Sequence, residues 1–301
     1  MKLDTIWQYP VKSMIGGTVE SAELDEVGIV GDRTWAVRDE DAGVIANTRK
    51  LGGLMRFAAR YGDGGSVTIT LPGARTVAST DPDVDSVLSA ELGRPVSLWP
   101  RPAAEQLDFY RRAPFGDGDM MEELRTIFAR EGDEPLPDFT KFPAVSLEYE
   151  TPPGALYDCY PLMIMSTSAL RSIAAAVPGS VIDVRRFRPS LVVDTGDAPG
   201  HPEFDWTGQR FAIGTAVVEV INDCPRCAAI TREITPDVPA DRAILRHVVK
   251  DLGQAVGMYA RLFREDPRDS GTWDTLARLG QVLEKWDRIG EVYRTTLDEI
   301  G

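Results

Sequence analysis

The segment GTAVVEVINDCPRCAAITRE, residues 214–233, holds both the fold and the chemistry of this chain. Val217, Val218, Val220 and Ile221 make it a β-branched strand, and that strand delivers the chain straight into Cys224-Pro225-Arg226-Cys227. Two thiols at that spacing can clamp half of a zinc site, shuttle electrons as a disulfide, carry sulfur, or offer one soft thiolate to a heavier metal. Zinc needs four ligands, and only Cys159 and His201 stand as distant candidates, with no second Cys-x-x-Cys. A thioredoxin-like pair needs a helix start behind it, whereas AAITREITPDVP is β-branched and broken by proline. Arg226 between the thiols supplies a fixed positive charge that favours a thiolate and can grip an anion.

The whole chain narrows the choice. It has 301 residues, 43% of them apolar, enough for a large core or two domains. Against 33 basic residues stand 47 acidic ones, a formal net charge of -14, which disfavours nucleic acid and anionic membrane as partners. The opening MKLDTIWQYPVKS has no signal-like apolar run, and no segment is long and apolar enough to span a bilayer. Three cysteines and two histidines exclude a disulfide scaffold and a histidine-built metal cluster. The expectation is a cytoplasmic protein.

An α+β, β-rich organisation follows from the pattern. Residues 1–100 read as a small β-barrel-like domain of short strands: LDTIWQYPV, TVESAELDEVG, RTWAVRDEDAGVIA, SVTITLP and VSLWP. Residues 101–153 form a connector, in which MMEELRTIFARE has helical spacing and GDEPLPDFTKFP and ETPPG are Pro-rich loop. Residues 154–265 return to strands, beginning with YPLMIMSTSALRSIAAAV, a buried strand entering a helix that Ser166, Thr167 or Ser168 can cap. FRPSLVVD reads as a strand, ADRAILRHVVKDL as a helix and AVGMYARLF as a closing strand. Residues 266–301 carry a stripe including Trp273, Leu276, Leu283, Trp286 and Tyr293, an amphipathic C-terminal helix that docks on the body or pairs two subunits as a homodimer.

Isolated basic residues stand at loop positions of this acidic chain: Lys12 in YPVKS, Arg33 in GDRTW, Arg49 and Lys50 in NTRK, Arg186 and Arg188 in RRFRPS. If the fold gathers four of them beside a thiol, an oxyanion or phosphate pocket results; each taken singly is an ordinary surface charge. Taken in order, these segments resemble a known family. YPVKS followed by GDRTWAV is similar to the N-terminal β-barrel that precedes MOSC domains. YPLMIMSTSAL, RFRPSLVVD, GQRFAIGTAVVEV and CPRCAAITRE together resemble the MOSC domain itself, a β-barrel with flanking helices named for the C-terminal region of molybdenum cofactor sulfurase.

The resemblance spans roughly residues 1 to 265, leaving out the connector helix and the tail. It implies a molybdenum cofactor, molybdopterin with Mo, bound through Cys227, since the second cysteine of Cys-x-Arg-Cys is the metal ligand in such relatives. It places the pterin phosphate on Lys12, Ser13, Arg33, Arg188, Pro225 and Arg226, with Ser190 beside them where relatives carry an asparagine. Ser190 offers one hydroxyl in place of an amide, and Pro225 lacks a backbone N–H. It further implies an oxidoreductase that takes oxygen from small N-hydroxylated substrates, as amidoxime-reducing and hydroxylaminopurine-resistance members do, with electrons from an external donor protein. The alternatives are a sulfur carrier with a persulfide on Cys227 and a non-catalytic molybdopterin delivery protein. Cys224 reads as a packing residue.

Overall fold

The computed structural model describes residues 1–113 and 120–263; the expected C-terminal helix and its homodimer contact lie outside the described residues. The chain starts with β1 (Lys2–Gln8), turns through Tyr9-Pro10-Val11-Lys12-Ser13, and continues into β2 (Gly17–Val19) and the short hairpin β3 (Leu24–Asp25) and β4 (Gly28–Ile29). β5 (Trp35–Asp39) pairs antiparallel with β6 (Val44–Ile45). β7 (Ala58–Tyr61), β8 (Val67–Thr70) and β9 (Thr76–Ala78) make a three-stranded antiparallel sheet. In β8 the expected alternation is visible, with Val67 and Ile69 fully buried and Thr68 and Thr70 half-buried.

One element in this stretch is absent from the strand reading. α1 (Val84–Leu92) buries Val84 and Leu88, four residues apart, and stops at Gly93, whose φ of 69° gives the left-handed cap that a side chain resists. β10 (Val96–Pro100) then returns along β5. Val11, Met14, Val37, Phe57, Ile69 and Leu88 close the core of this half. The connector carries α2 (Leu107–Tyr110) and α3 (Met120–Ile127), followed by 3-10 turns at Phe139–Lys141 and Ala144–Leu147. The expected helix at MMEELRTIFARE is present and ends at Ile127.

The second half is built as read. β11 (Leu162–Ser166) enters α4 (Thr167–Ala176), and of the available caps Ser166 is used, its Oγ accepting from the Ala169 N–H at 2.9 Å. β12 (Leu191–Asp194), β13 (Arg210–Ile213), β14 (Ala216–Pro225), α5 (Ala243–Asp251) and β15 (Ala255–Leu262) follow. The main sheet has seven strands in the order β13-β14-β15-β11-β12-β1-β2. β11 and β12 are parallel, which requires the crossover that α4 provides. The first strand of the chain thus hydrogen-bonds to β12, so the amino-terminal turn sits at the edge of the second half's sheet.

Both faces of this sheet are covered, which explains why LMIMS is buried at every position. Met163 and Met165 pack with Ile173, Phe187 and Val248 on the face of α4 and α5. Leu162 and Ile164 join Leu191, Trp206 and Val220 on the other. β14 changes face along its length. Val218 and Val220 belong to the second cluster, yet Cys224, an even number of residues later, belongs to the first. The cause is an irregularity in the pairing with β15: Val220 faces Ala260 and Asn222 faces Tyr259, so one extra residue on β14 inverts the alternation. A second irregularity follows between Asp223 and Pro225. On β15 Gly257, at φ 74°, sits where a Cβ would lie 2.7 Å from Met163 Sδ and 2.8 Å from Ile164 O, so glycine is what lets the distorted strand end approach β11.

Candidate functional site

Past the second irregularity the chain leaves the sheet at Cys227, which precedes a single 3-10 turn, Ala228–Thr231. The sequence reading expected no helix start behind the pair, and this four-residue turn is too short to act as a helix dipole on the thiol. Cys227 is partly exposed, while Cys224 is buried and lies 3.1 Å from Arg226 Nη1; burial pushes the Cys224 thiol up and keeps it protonated. Both thiols line the same opening, and Cys227 is the one that keeps part of its surface exposed.

That opening is a cavity whose wall includes all the predicted site residues: Lys12, Ser13 and Arg33 from the amino-terminal half, Arg188 and Ser190 from the turn before β12, and Pro225, Arg226 and Cys227 from the end of β14. Arg49 joins them; Lys50 and Arg186 do not line it. Lys50 pairs with Glu123 at 3.1 Å. Arg186 is fully buried and donates to the carbonyls of Val181, Arg232 and Pro239 at 3.1, 2.9 and 2.6 Å, holding two loops together.

The cations are brought together by a residue that the motif reading passed over. Tyr9 is completely buried, its hydroxyl donating to Pro189 O at 2.9 Å and its N–H to Asp32 Oδ1 at 2.6 Å. The Arg188 guanidinium lies over its ring at 4.4 Å and that of Arg33 at 5.1 Å. Burial holds the Tyr9 phenol protonated, above its ordinary range. Ser13, Arg33 and Arg188 are three of the six non-glycine residues with positive φ among the described residues, at 70°, 48° and 57°. Left-handed backbone at such residues is costly and marks places where the surrounding structure forces a side chain's direction.

Charge in the cavity is only partly balanced. Lys12 donates to Leu156 O at 3.0 Å and to the carboxylate of Asp158. Burial pulls its pKa down, and Asp158 opposes that shift. Desolvation works against the Asp158 charge, but Lys12 and Arg49 overcome it and hold the carboxyl well below the usual range. Arg33 pairs with Asp32. Arg188 donates to Met14 O, but its Nη2 is buried without a partner, and burial together with Arg33 pushes its pKa down to about 10. Arg226 spends two nitrogens on Cys224 Sγ and Phe187 O, leaving Nε buried and unpartnered. Ser190 Oγ accepts from the Met163 N–H at 3.2 Å, so its own proton is free to be donated. Orphaned buried donors beside a thiol suit an anionic ligand that also carries a soft metal.

Asp158 is the other residue missing from the sequence reading. It stands in LYDCYP, between the Pro-rich loop and β11, where nothing in the residues around it marks a partner.

Residues 1–94 match the family described as the MOSC N-terminal beta barrel domain, and residues 152–268 match the MOSC domain. Among curated proteins, the chain is similar to mitochondrial amidoxime reducing component 2 of Bos taurus, 26% identical over 246 residues, which is 77% of this chain and 66% of the relative. The chain thus spans just under two thirds of that relative's length. Among the described residues, no helix is long and apolar enough to cross a membrane.

Proposed function

The chain is a MOSC protein, a MOSC N-terminal beta barrel domain followed by a MOSC domain, and from that premise we propose that it holds a molybdenum cofactor in the cationic cavity and reduces small N-hydroxylated compounds. The observation that carries this reading is the meeting of one partly exposed thiol, Cys227, with Lys12, Arg33, Arg49, Arg188 and Arg226 in a single wall. When bound, the cofactor supplies the reduction of an N–OH group to N–H and water, using two electrons and two protons. The electrons come from a separate donor protein.

Each residue's part follows from its surroundings. Cys227 Sγ would be the metal ligand, because Cys227 is the partly exposed thiol of the pair while Cys224 packs into the core. Arg188 Nη2, Arg226 Nε and the Ser190 hydroxyl would donate to the phosphate of the pterin, since these are the donors the protein itself leaves unmatched. Lys12 contributes charge while Leu156 O and Asp158 fix its position. Tyr9 touches no ligand; it sets the planes of the Arg33 and Arg188 guanidinium groups. A reducing compartment such as the cytoplasm suits three free thiols.

Metal analysis of protein produced in a cofactor-making host tests the proposal. Wild type is expected to carry molybdenum near one per chain, and Cys227→Ala to lose at least nine tenths of it while unfolding at the same temperature. Equal metal in both proteins would sink the assignment. A persulfide mass on Cys227 with no metal would point to sulfur transfer instead.

A further inference from the structure

The charged cavity shares Arg49 and Asp158 with a second hollow of about 270 Å3, built from the connector. Leu124, Ile127 and Phe128, from α3 and the turn after it, line this space together with Phe139 and Phe142. The Phe139 ring lies 5.8 Å from that of Phe128 and 5.5 Å from that of Phe142, so three rings form a continuous wall. An apolar cavity of about 150 Å3 already admits benzene, so this one has room for a substituted ring.

The hollow also has a polar end. Glu150 is 3% exposed, and its Oε2 accepts from Asn47 at 3.3 Å and Arg49 at 3.4 Å. Its Oε1 is buried with no hydrogen bond; the nearest cation, Arg112 Nη1, stands 3.6 Å away. Ser146 Oγ, in the same wall, is also buried without a partner. Glu150 Oε1 is thus ion-paired with Arg112 but accepts no hydrogen bond, and a donor placed in the hollow would supply the one it lacks. Arg49 ties the two spaces together: its charge interacts with Asp158 and Glu150, and with Cys227 and Cys159.

We infer that this hollow is the specificity subsite of the same reaction: it takes the flat, ring-bearing apolar body of the substrate, with an N–H or O–H of that molecule donating to Glu150 Oε1. The inference rests on the reductase reading for its chemistry, but the ring-binding subsite has its own readout. Compounds that are N-hydroxylated yet have no apolar body gain nothing from it.

The test pairs binding with turnover in the full-length protein. Benzamidine, a planar donor that cannot be reduced at an N–O bond, is titrated by ligand-observed NMR into wild type, Leu124→Trp, which fills the hollow, and Phe142→Ala, which removes one ring. Binding to wild type is expected, weakened at least tenfold by the first change and about fivefold by the second. With benzamidoxime as substrate, KM rises by similar factors at nearly constant kcat, while kcat/KM for hydroxylamine is unaltered, which also certifies the fold of each variant. No benzamidine binding to wild type, or binding indifferent to both variants, overturns the inference. So does an equal loss for both substrates in variants that unfold as wild type does. Hollow-dependent benzamidine binding in a protein that reduces neither compound leaves the subsite standing and fells the reductase reading alone.

Discussion

The two hollows that meet at Arg49 are made in opposite ways. The charged cavity collects single residues from positions as far apart as Lys12 and Cys227, and three of them, Ser13, Arg33 and Arg188, sit on backbone forced to positive φ. The apolar hollow comes largely from one stretch, Met120 to Glu150, whose lining side chains sit on or near helical and 3-10 turns; its one left-handed non-glycine residue, Ala129 at φ 49°, does not line the hollow. Charges of one sign repel and lose solvation when gathered, so they must be imposed by a rigid scaffold; apolar side chains gather by themselves. The first hollow is therefore the strained and costly region, and the second the inexpensive and adaptable one.

The sharpest way to break that contrast is at Tyr9. Tyr9→Ala removes a fully buried ring together with the platform of Arg33 and Arg188, and is expected to cost about 3–5 kcal/mol. Chemical denaturation measures it, and a loss below about 1 kcal/mol would mean the cations are held without Tyr9. Next comes Arg188→Met. The folded-state pKa of Arg188 is pushed down to about 10 from its ordinary 12.5, so the charged form is disfavoured in the folded chain at every pH below that value. Prepared free of cofactor the variant should melt no lower than wild type, and produced in a cofactor-making host it should retain severalfold less molybdenum, a trade of stability for binding. A lower melting temperature would place Arg188 among residues that support the fold.

The smallest effect is a slope. Cys159, on the wall of the apolar hollow, is pushed up to about 12 by burial from an ordinary 9.0, and burial raises Cys224 and Tyr259 as well. A raised folded pKa gives stability that is whole below the unfolded value and is lost as pH climbs past it. Stability should therefore fall between pH 9 and pH 12, and Cys159→Ala should flatten that fall whatever it does to the absolute melting temperature. An unchanged slope would show that the thiol ionises freely in the folded protein.

Much of this site was legible before any coordinates. Lys12, Arg33, Arg188 and Arg226 stood out as lone cations at turns of an acidic chain, and Cys227 as a thiol at a strand end. Arg186 carried the same signal and yet serves the interior, because a guanidinium that satisfies several carbonyls looks identical in sequence to one that awaits an anion. Tyr9 and Asp158 gave no signal of their own, since their importance consists in what lies across from them. α1 was missed in a stretch dominated by strand patterns, where Val84 and Leu88 alone carried the helical period.

By itself the order of residues determined most of the strands, that a helix follows β11, and which side chains bring charge or sulfur. Those properties are local, set by alternation, capping and chemical type. Only the assembled protein shows what turns Cys224 into the core while Cys227 keeps part of its surface exposed. One extra residue between Val220 and Asn222 inverts the alternation of β14, and a bulge exists only in relation to the neighbouring strand, here β15.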